Sequence, residues 1–196
     1  IVWADDTTRA YGSISARGGA DGGDGGFVET SGKRYLSADG ISVDTRAPQG
    51  KTGTWLLDPT DITIAHSGTT TTVTVPSTSL PPPLLVPAGD VILGNNANTA
   101  TVLDSTINTN LNTTNVYVTT GGSGTAPNGG SITVNNDVIV QNSSGAPRQF
   151  AMAADTNISV AYGAKIQGST GSPLTVRMSA GKMNPDGTVI TAGNLD

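Results

Sequence analysis

The chain turns corners at a regular interval, and that interval restricts what it can build. Short apolar or alternating runs occur at 1–3, 13–15, 27–28, 41–43, 55–57 and 62–64, each bounded by Gly, Asp, Asn or Pro. This is the pattern of brief strands separated by turns. The runs fall into two interleaved series, Trp3, Val28 and Leu56 in one and Ile14, Ile41 and Ile62 in the other. Each recurs at roughly 25 residues, an interval typical of repeat architectures. A second block from 115 onward continues the pattern, with Ile132, Ile158 and Val189 on one face and Phe150 and Leu174 on another.

Stacked strands explain why these residue types are needed. Parallel strands about 4.8 Å apart place inward side chains on like side chains in a narrow core, which suits Val, Ile, Leu, Ala and an occasional ring. Corners need φ > 0, which Gly, Asn and Asp supply. The stretch GGADGGDGG (18–26) then reads as a sharp corner, FVET (27–30) as one flat face, and Ser31-Gly32 as the start of the next corner. The composition agrees. Only 13% of residues are charged and 4% aromatic, so neither a charged surface nor a ring-rich globular core is on offer. Thr, Ser and Asn dominate 66–79, 95–115 and 119–144, and these residues favour strands and turns. Only Asp104 to Asn112 supports a helix, with Asp104 as the candidate N-cap and Ile107 and Leu111 at i, i+4.

A net charge of −5 and a pI of 4.6 disfavour nucleic acid and anionic membranes, which are bound through basic patches. The densest basic cluster is Lys33-Arg34. No apolar run is long enough to span a bilayer, so no membrane insertion is expected. The absence of cysteine removes disulfides, thiolate metal sites and thiol nucleophiles. A chain opening at Ile1, without Met, is expected of a piece cut from something longer.

The string YGSISARGGADGGDGGFVETSGK (11–33), followed by ISVDTRA (41–47) and GTWLLDPTDITI (53–64), resembles the shaft of two-partner-secretion exoproteins of the filamentous haemagglutinin and high-molecular-weight adhesin family. STINTNLNTTNVYVTTGG (105–122) and GGSITVNNDVIV (129–140) are similar to the same family's further segments. The resemblance implies an all-β, right-handed parallel β-helix (solenoid). The strand rhythm breaks between 66 and 115, which is read as an irregular extra-helical decoration with a possible short helix, set between first coils at 1–65 and further coils at 116–196 of a single domain. That decoration is expected to pack Leu84, Leu85, Val91, Ile92, Ile107 and Leu111 against the shaft. The resemblance also implies a non-catalytic stalk segment of a secreted bacterial surface adhesin that attaches to cells or surfaces. The parent would be exported by an outer-membrane transporter that recognises a region outside these residues. Alternatives from other classes are a β-helical polysaccharide-degrading enzyme and a glycan-binding module.

The motifs that could carry chemistry have plainer structural readings, and no catalytic, cofactor or metal residue is expected. GGADGGDGG is similar to a calcium-binding glycine repeat, yet counting from Gly22 puts Phe27 where the motif needs Asp, which leaves Asp21 and Asp24 as corner residues. His66 is the sole histidine. A nucleophilic triad would use it with Asp58 or Asp61, but a solvated loop position fits its setting better. Asp5 and Asp6 are adjacent, so on a strand they face opposite ways and read as turn residues. Trp3 and Trp55 lie in the apolar series and are expected to stack in or against the core. Pro81 to Pro83, with Leu84 and Leu85, could dock a partner as a polyproline segment, but read more plainly as a stiff loop leaving the coil. Asn112, Asn142 and Asn157 open glycosylation sequons, with Asn142 expected to be the most accessible.

Overall fold

The structure is a computed structural model that describes residues 1–32, 35–67, 99–120, 130–183, 189–192 and 194–195. The chain is mostly β, with one short helix among the described residues. In chain order the first strands are β1 (Val2–Ala4), β2 (Thr7–Arg9), β3 (Ser13–Ser15), β4 (Phe27–Gly32), β5 (Tyr35–Ser37), β6 (Ser42–Asp44), β7 (Thr54–Leu57) and β8 (Asp61–Ala65). Then come β9 (Thr99–Leu103), the helix α1 (Asp104–Leu111), β10 (Asn115–Thr119), β11 (Ile132–Val134), β12 (Ile139–Asn142) and β13 (Arg148–Ala154). The last are β14 (Asn157–Val160), β15 (Lys165–Gly168), β16 (Leu174–Met183), β17 (Val189–Ala192) and β18 (Asn194–Leu195).

The largest sheet runs β1-β4-β7-β10-β13-β16-β17, and every pair in it is parallel except the last. A second sheet runs β18-β14-β11-β8-β9, all parallel. Three two-stranded parallel sheets complete the described pairing, namely β2 with β5, β3 with β6 and β12 with β15. Parallel neighbours require the chain to travel away and return in the same direction. From β4 to β16 in the large sheet, each return brings an apolar residue onto the one before it.

In the large sheet, Val28, Trp55, Val116, Phe150 and Val176 pair in succession. Beside them run Val2, Thr30, Leu57, Val118, Met152 and Met178. The inner members of both rows are fully buried, while Val2, Val176 and Met178 on the outermost parallel strands are partly exposed. Trp55 lies between the smaller Val28 and Val116, and its buried indole N–H is satisfied by Thr30 Oγ1 at 3.0 Å.

This pairing corrects several positions in the expected series. Trp55 and Leu57 face inward and Leu56 does not, because strand side chains alternate and a slip of one residue exchanges the faces. Trp3 pairs with Ser31 and is 53% exposed, so it does not stack in the core. Ile14 pairs with Val43 rather than Ile41, although Ile41 is buried just before β6. Phe150 pairs with Val176 rather than Leu174, and Ile158 with Leu195 rather than Val189. Ser31 and Gly32 belong to strand β4 and do not begin a corner.

The glycine corners bring two backbones together. Gly53 N–H bonds the Thr45 carbonyl at 2.9 Å, and Thr54 N–H bonds the Gly26 carbonyl at 3.2 Å. A Cβ on Gly25 would strike the Thr45 carbonyl, and one on Gly53 would strike the Gly26 carbonyl. Gly25 and Gly53 are thus required by close approach, while the left-handed backbone of this corner falls on Gly22 and Gly23; among the described residues only glycines take φ > 0, not Asn or Asp.

Strand β9 departs from the even succession. It pairs with β8 in parallel from Asp61 opposite Thr99 to Ala65 opposite Leu103, on the edge of β8 away from β11. The chain is therefore back in a sheet by Thr99. Ile107 and Leu111, on the helix that follows, are fully buried in the core. Leu84, Leu85, Val91, Ile92 and the Pro81 to Pro83 segment lie outside the described residues, as do Lys33 and Arg34.

Candidate functional site

The most specific chemistry among the described residues lies around α1, which meets strand edges rather than a sheet face. Strand β6 is paired on one side by β3, and β12 on one side by β15. The helix lies against both strands and serves their other edges with side chains. Asn110 Oδ1 accepts the Val43 N–H at 2.6 Å, and its Nδ2 donates to the Ile41 carbonyl at 2.9 Å. Asn108 does the same for β12, with Oδ1 accepting the Gln141 N–H at 2.7 Å and Nδ2 donating to the Ile139 carbonyl at 2.8 Å. A residue in a parallel ladder bonds the C=O and N–H of positions i and i+2 on its neighbour in this way. Each carboxamide stands in for one strand residue.

Both ends of α1 are tied down. At its start the Asp104 carboxylate is buried, and its Oδ2 accepts the Ile139 N–H at 2.8 Å and lies 2.9 Å from His66 Nδ1. At its end Arg148, buried on β13, donates Nη2 to the Asn112 carbonyl at 3.0 Å and Nη1 to the Pro147 carbonyl at 2.9 Å. A cation at a helix C-terminus meets the negative end of the dipole. Burial lowers the Arg148 pKa from its ordinary value, with Arg46 adding to the effect. Just beyond the helix, Thr113 Oγ1 donates to the Val43 carbonyl at 2.6 Å and the Thr113 carbonyl accepts the Thr45 N–H at 3.2 Å, which extends the service to β6.

Asp104 is not the N-cap, as Leu103 holds that position without a side-chain cap bond and Asp104 is the first helical residue. Its carboxylate is spent on β12 and His66 instead. His66 is about half exposed, and its partner is Asp104 rather than a carboxylate close in sequence. Asp61 is committed elsewhere, accepting the N–H groups of Gly130 and Ser131 at 2.9 and 2.8 Å. The hydrogen bond from Asp104, and then its charge, raise the His66 pKa above the ordinary imidazole value.

The other sequence candidates are dispersed. Asp24 Oδ1 accepts the Lys51 N–H at 2.8 Å and joins two corners. Among the described residues no group of three or more His, Asp or Glu side chains is placed to hold a metal ion. Asp5 and Asp6 are exposed in the turn after β1, where the Asp6 carbonyl accepts the Tyr35 N–H at 3.1 Å. Asn142 is fully buried, a correction to its expected accessibility. Its Nδ2 donates to the Ala146 and Pro173 carbonyls, both at 2.8 Å. Asn112 and Asn157 are exposed, at the end of α1 and on β14.

No protein-family model matches this sequence, and neither does any curated protein.

Proposed function

We propose that this chain is a segment of a right-handed parallel β-helix that forms part of the stalk of a secreted bacterial surface adhesin, without catalytic activity of its own. The observation that carries the reading is the row Val28, Trp55, Val116, Phe150 and Val176, in which the chain returns five times to one parallel sheet and lays apolar residue on apolar residue. Successive coils at 1–65 and 116–196 supply that row. The chain is in the sheet again at β9, which leads into α1, and α1 lies against β6 and β12 where a third-face strand would lie. A thin continuous core and edges closed by side chains suit a part whose task is to hold distance. The resemblance of GGDGGFVETSG and GTWLLDPTDITI to the filamentous haemagglutinin and high-molecular-weight adhesin shafts supports the export route. In that route an outer-membrane two-partner-secretion transporter reads a region outside these residues and delivers the protein to the cell surface, where it attaches to host cells or surfaces.

Antibodies raised against the purified chain provide the test. Intact cells of the source bacterium are expected to label on their outer surface, and deletion of the transporter should abolish that label. Label that appears only after permeabilisation, in the presence or absence of the transporter, would contradict the proposal.

A further inference from the structure

His66 and Asp104 occupy the step that follows the last paired residues of β8 and β9, Ala65 opposite Leu103. Their side chains carry the register one position further, with His66 Nδ1 2.9 Å from Asp104 Oδ2. The same oxygen accepts the Ile139 N–H at 2.8 Å. One carboxylate oxygen therefore joins the end of β8, the first residue of α1 and the first residue of β12. The Asp104 side chain is 4% exposed and that of His66 55%. A buried carboxylate needs compensation. Here it has one backbone N–H, the positive end of the α1 dipole and His66.

We infer that His66 and Asp104 form a proton-controlled latch that holds the first turn of α1 between β8 and β12, closed when the imidazole carries its proton and loosened when it does not. The neutral ring can still donate from Nδ1, but the buried carboxylate then loses its cation. The charged groups acting on the ring are Asp104 from α1 and Asp137 from the turn before β12, both negative. Each favours the protonated ring, in line with its raised pKa. A raised folded-state value fixes the sign. The latch is fully closed below the ordinary imidazole value of about 6.5 and is released as pH rises through the higher value of the folded protein. The seat of α1 makes that release local, because the helix holds its edges through Asn108 and Asn110 while β10 is held on both sides by strands.

The test uses the full chain. It contains one histidine, so an NMR titration of the imidazole reports His66 directly. The expected midpoint lies above the ordinary value and falls back toward it in Asp104→Asn. Hydrogen exchange, corrected for intrinsic rates, should show the Ile107 and Leu111 amides losing protection several-fold between about pH 6 and about pH 8.5, with Val116 and Val118 unchanged. His66→Lys, which keeps a cation across this range, should remove that dependence. A wild-type midpoint at or below the ordinary value would overturn the latch, even if every variant fails to fold. Helix and β10 amides that lose protection in parallel would also overturn it, as would a dependence that persists in His66→Lys.

Discussion

Asn110 takes the place of a strand residue for Val43, accepting its backbone N–H at 2.6 Å from inside a helix. Asparagine is a poor helix former, and this one is fully buried. Its position is explained by what it faces. A helix packed on a sheet face needs apolar side chains, whereas a helix packed on a strand edge must supply donors and acceptors. Asp104, Thr106 and Asn110 are accordingly buried alongside Ile107 and Leu111.

Replacing Asn110 with Ala is expected to strand the Val43 N–H and the Ile41 carbonyl. With each orphaned buried group costing about 1–3 kcal/mol, the loss should be roughly 2–6 kcal/mol, read as a lower denaturation midpoint. Asn110→Leu should fare no better, because bulk cannot satisfy a backbone edge. Asn108→Ala, at a half-buried site, should cost less. An Asn110→Ala protein within about 0.5 kcal/mol of the parent would show that the edge is satisfied in some other way.

The register makes a separate prediction about neighbouring leucines. Leu57 is fully buried and Leu56 is not. Leu57→Ala should cost about 2–5 kcal/mol and Leu56→Ala less than about 1 kcal/mol, as measured by equilibrium unfolding. Equal losses would place both on the same kind of surface and contradict the pairing of Trp55 with Val28.

The glycine before Trp55 can be tested against one in open space. Gly12 has φ +82° and free space where a methyl group would stand, whereas a methyl on Gly53 meets the Gly26 carbonyl. Gly12→Ala should cost about 1 kcal/mol for its backbone conformation alone, and Gly53→Ala clearly more, since two backbones must separate. Thermal melts of the two variants decide the order, and a milder loss at Gly53 would count against the close approach.

Tyr35 provides a pH dependence. It is 2% exposed, and its hydroxyl has no hydrogen-bond partner among the described residues. Burial, and then the charge of Asp39, push its pKa up to about 12. The fold favours the neutral phenol, so this contribution is complete below about pH 10, the unfolded value. It is lost as pH rises from there to about 12. Tyr35→Phe should flatten that alkaline decline and leave stability at neutral pH unchanged or slightly higher. An unaltered alkaline profile in the variant would assign the decline to other groups.

Much of the fold is legible in the chain because glycine corners and apolar runs recur at a readable interval. The phase is harder to read. Trp55, Leu56 and Leu57 form an unbroken apolar run, so alternation cannot say which of them faces inward, and only pairing with Val28 and Val116 decides it. The helix is visible in Ile107 and Leu111, but its role is not. Asn108 and Asn110 look like turn residues in an Asn-rich stretch, and nothing local marks the β6 and β12 edges, distant in sequence, that they serve. Asn142 misleads for a related reason, since Asn-Ser-Ser-Gly-Ala-Pro has the composition of an open loop while its carboxamide is used up on the Ala146 and Pro173 carbonyls. The His66–Asp104 pair spans a gap in sequence that no motif bridges.

Stacked parallel coils are the central claim, and spin-label distances test it most directly. The cysteine-free chain accepts a single pair of labels cleanly. Glu29, Leu56, Tyr117, Ala151 and Arg177 pair in succession across the large sheet, so labels at Glu29→Cys with Ala151→Cys, and at Glu29→Cys with Arg177→Cys, lie three and four ladder steps apart. At about 4.8 Å per step the backbone separations should be roughly 14 and 19 Å. Growth by one strand spacing from the first pair to the second is the predicted result, and separations that fail to increase, or that exceed about 30 Å, would contradict it.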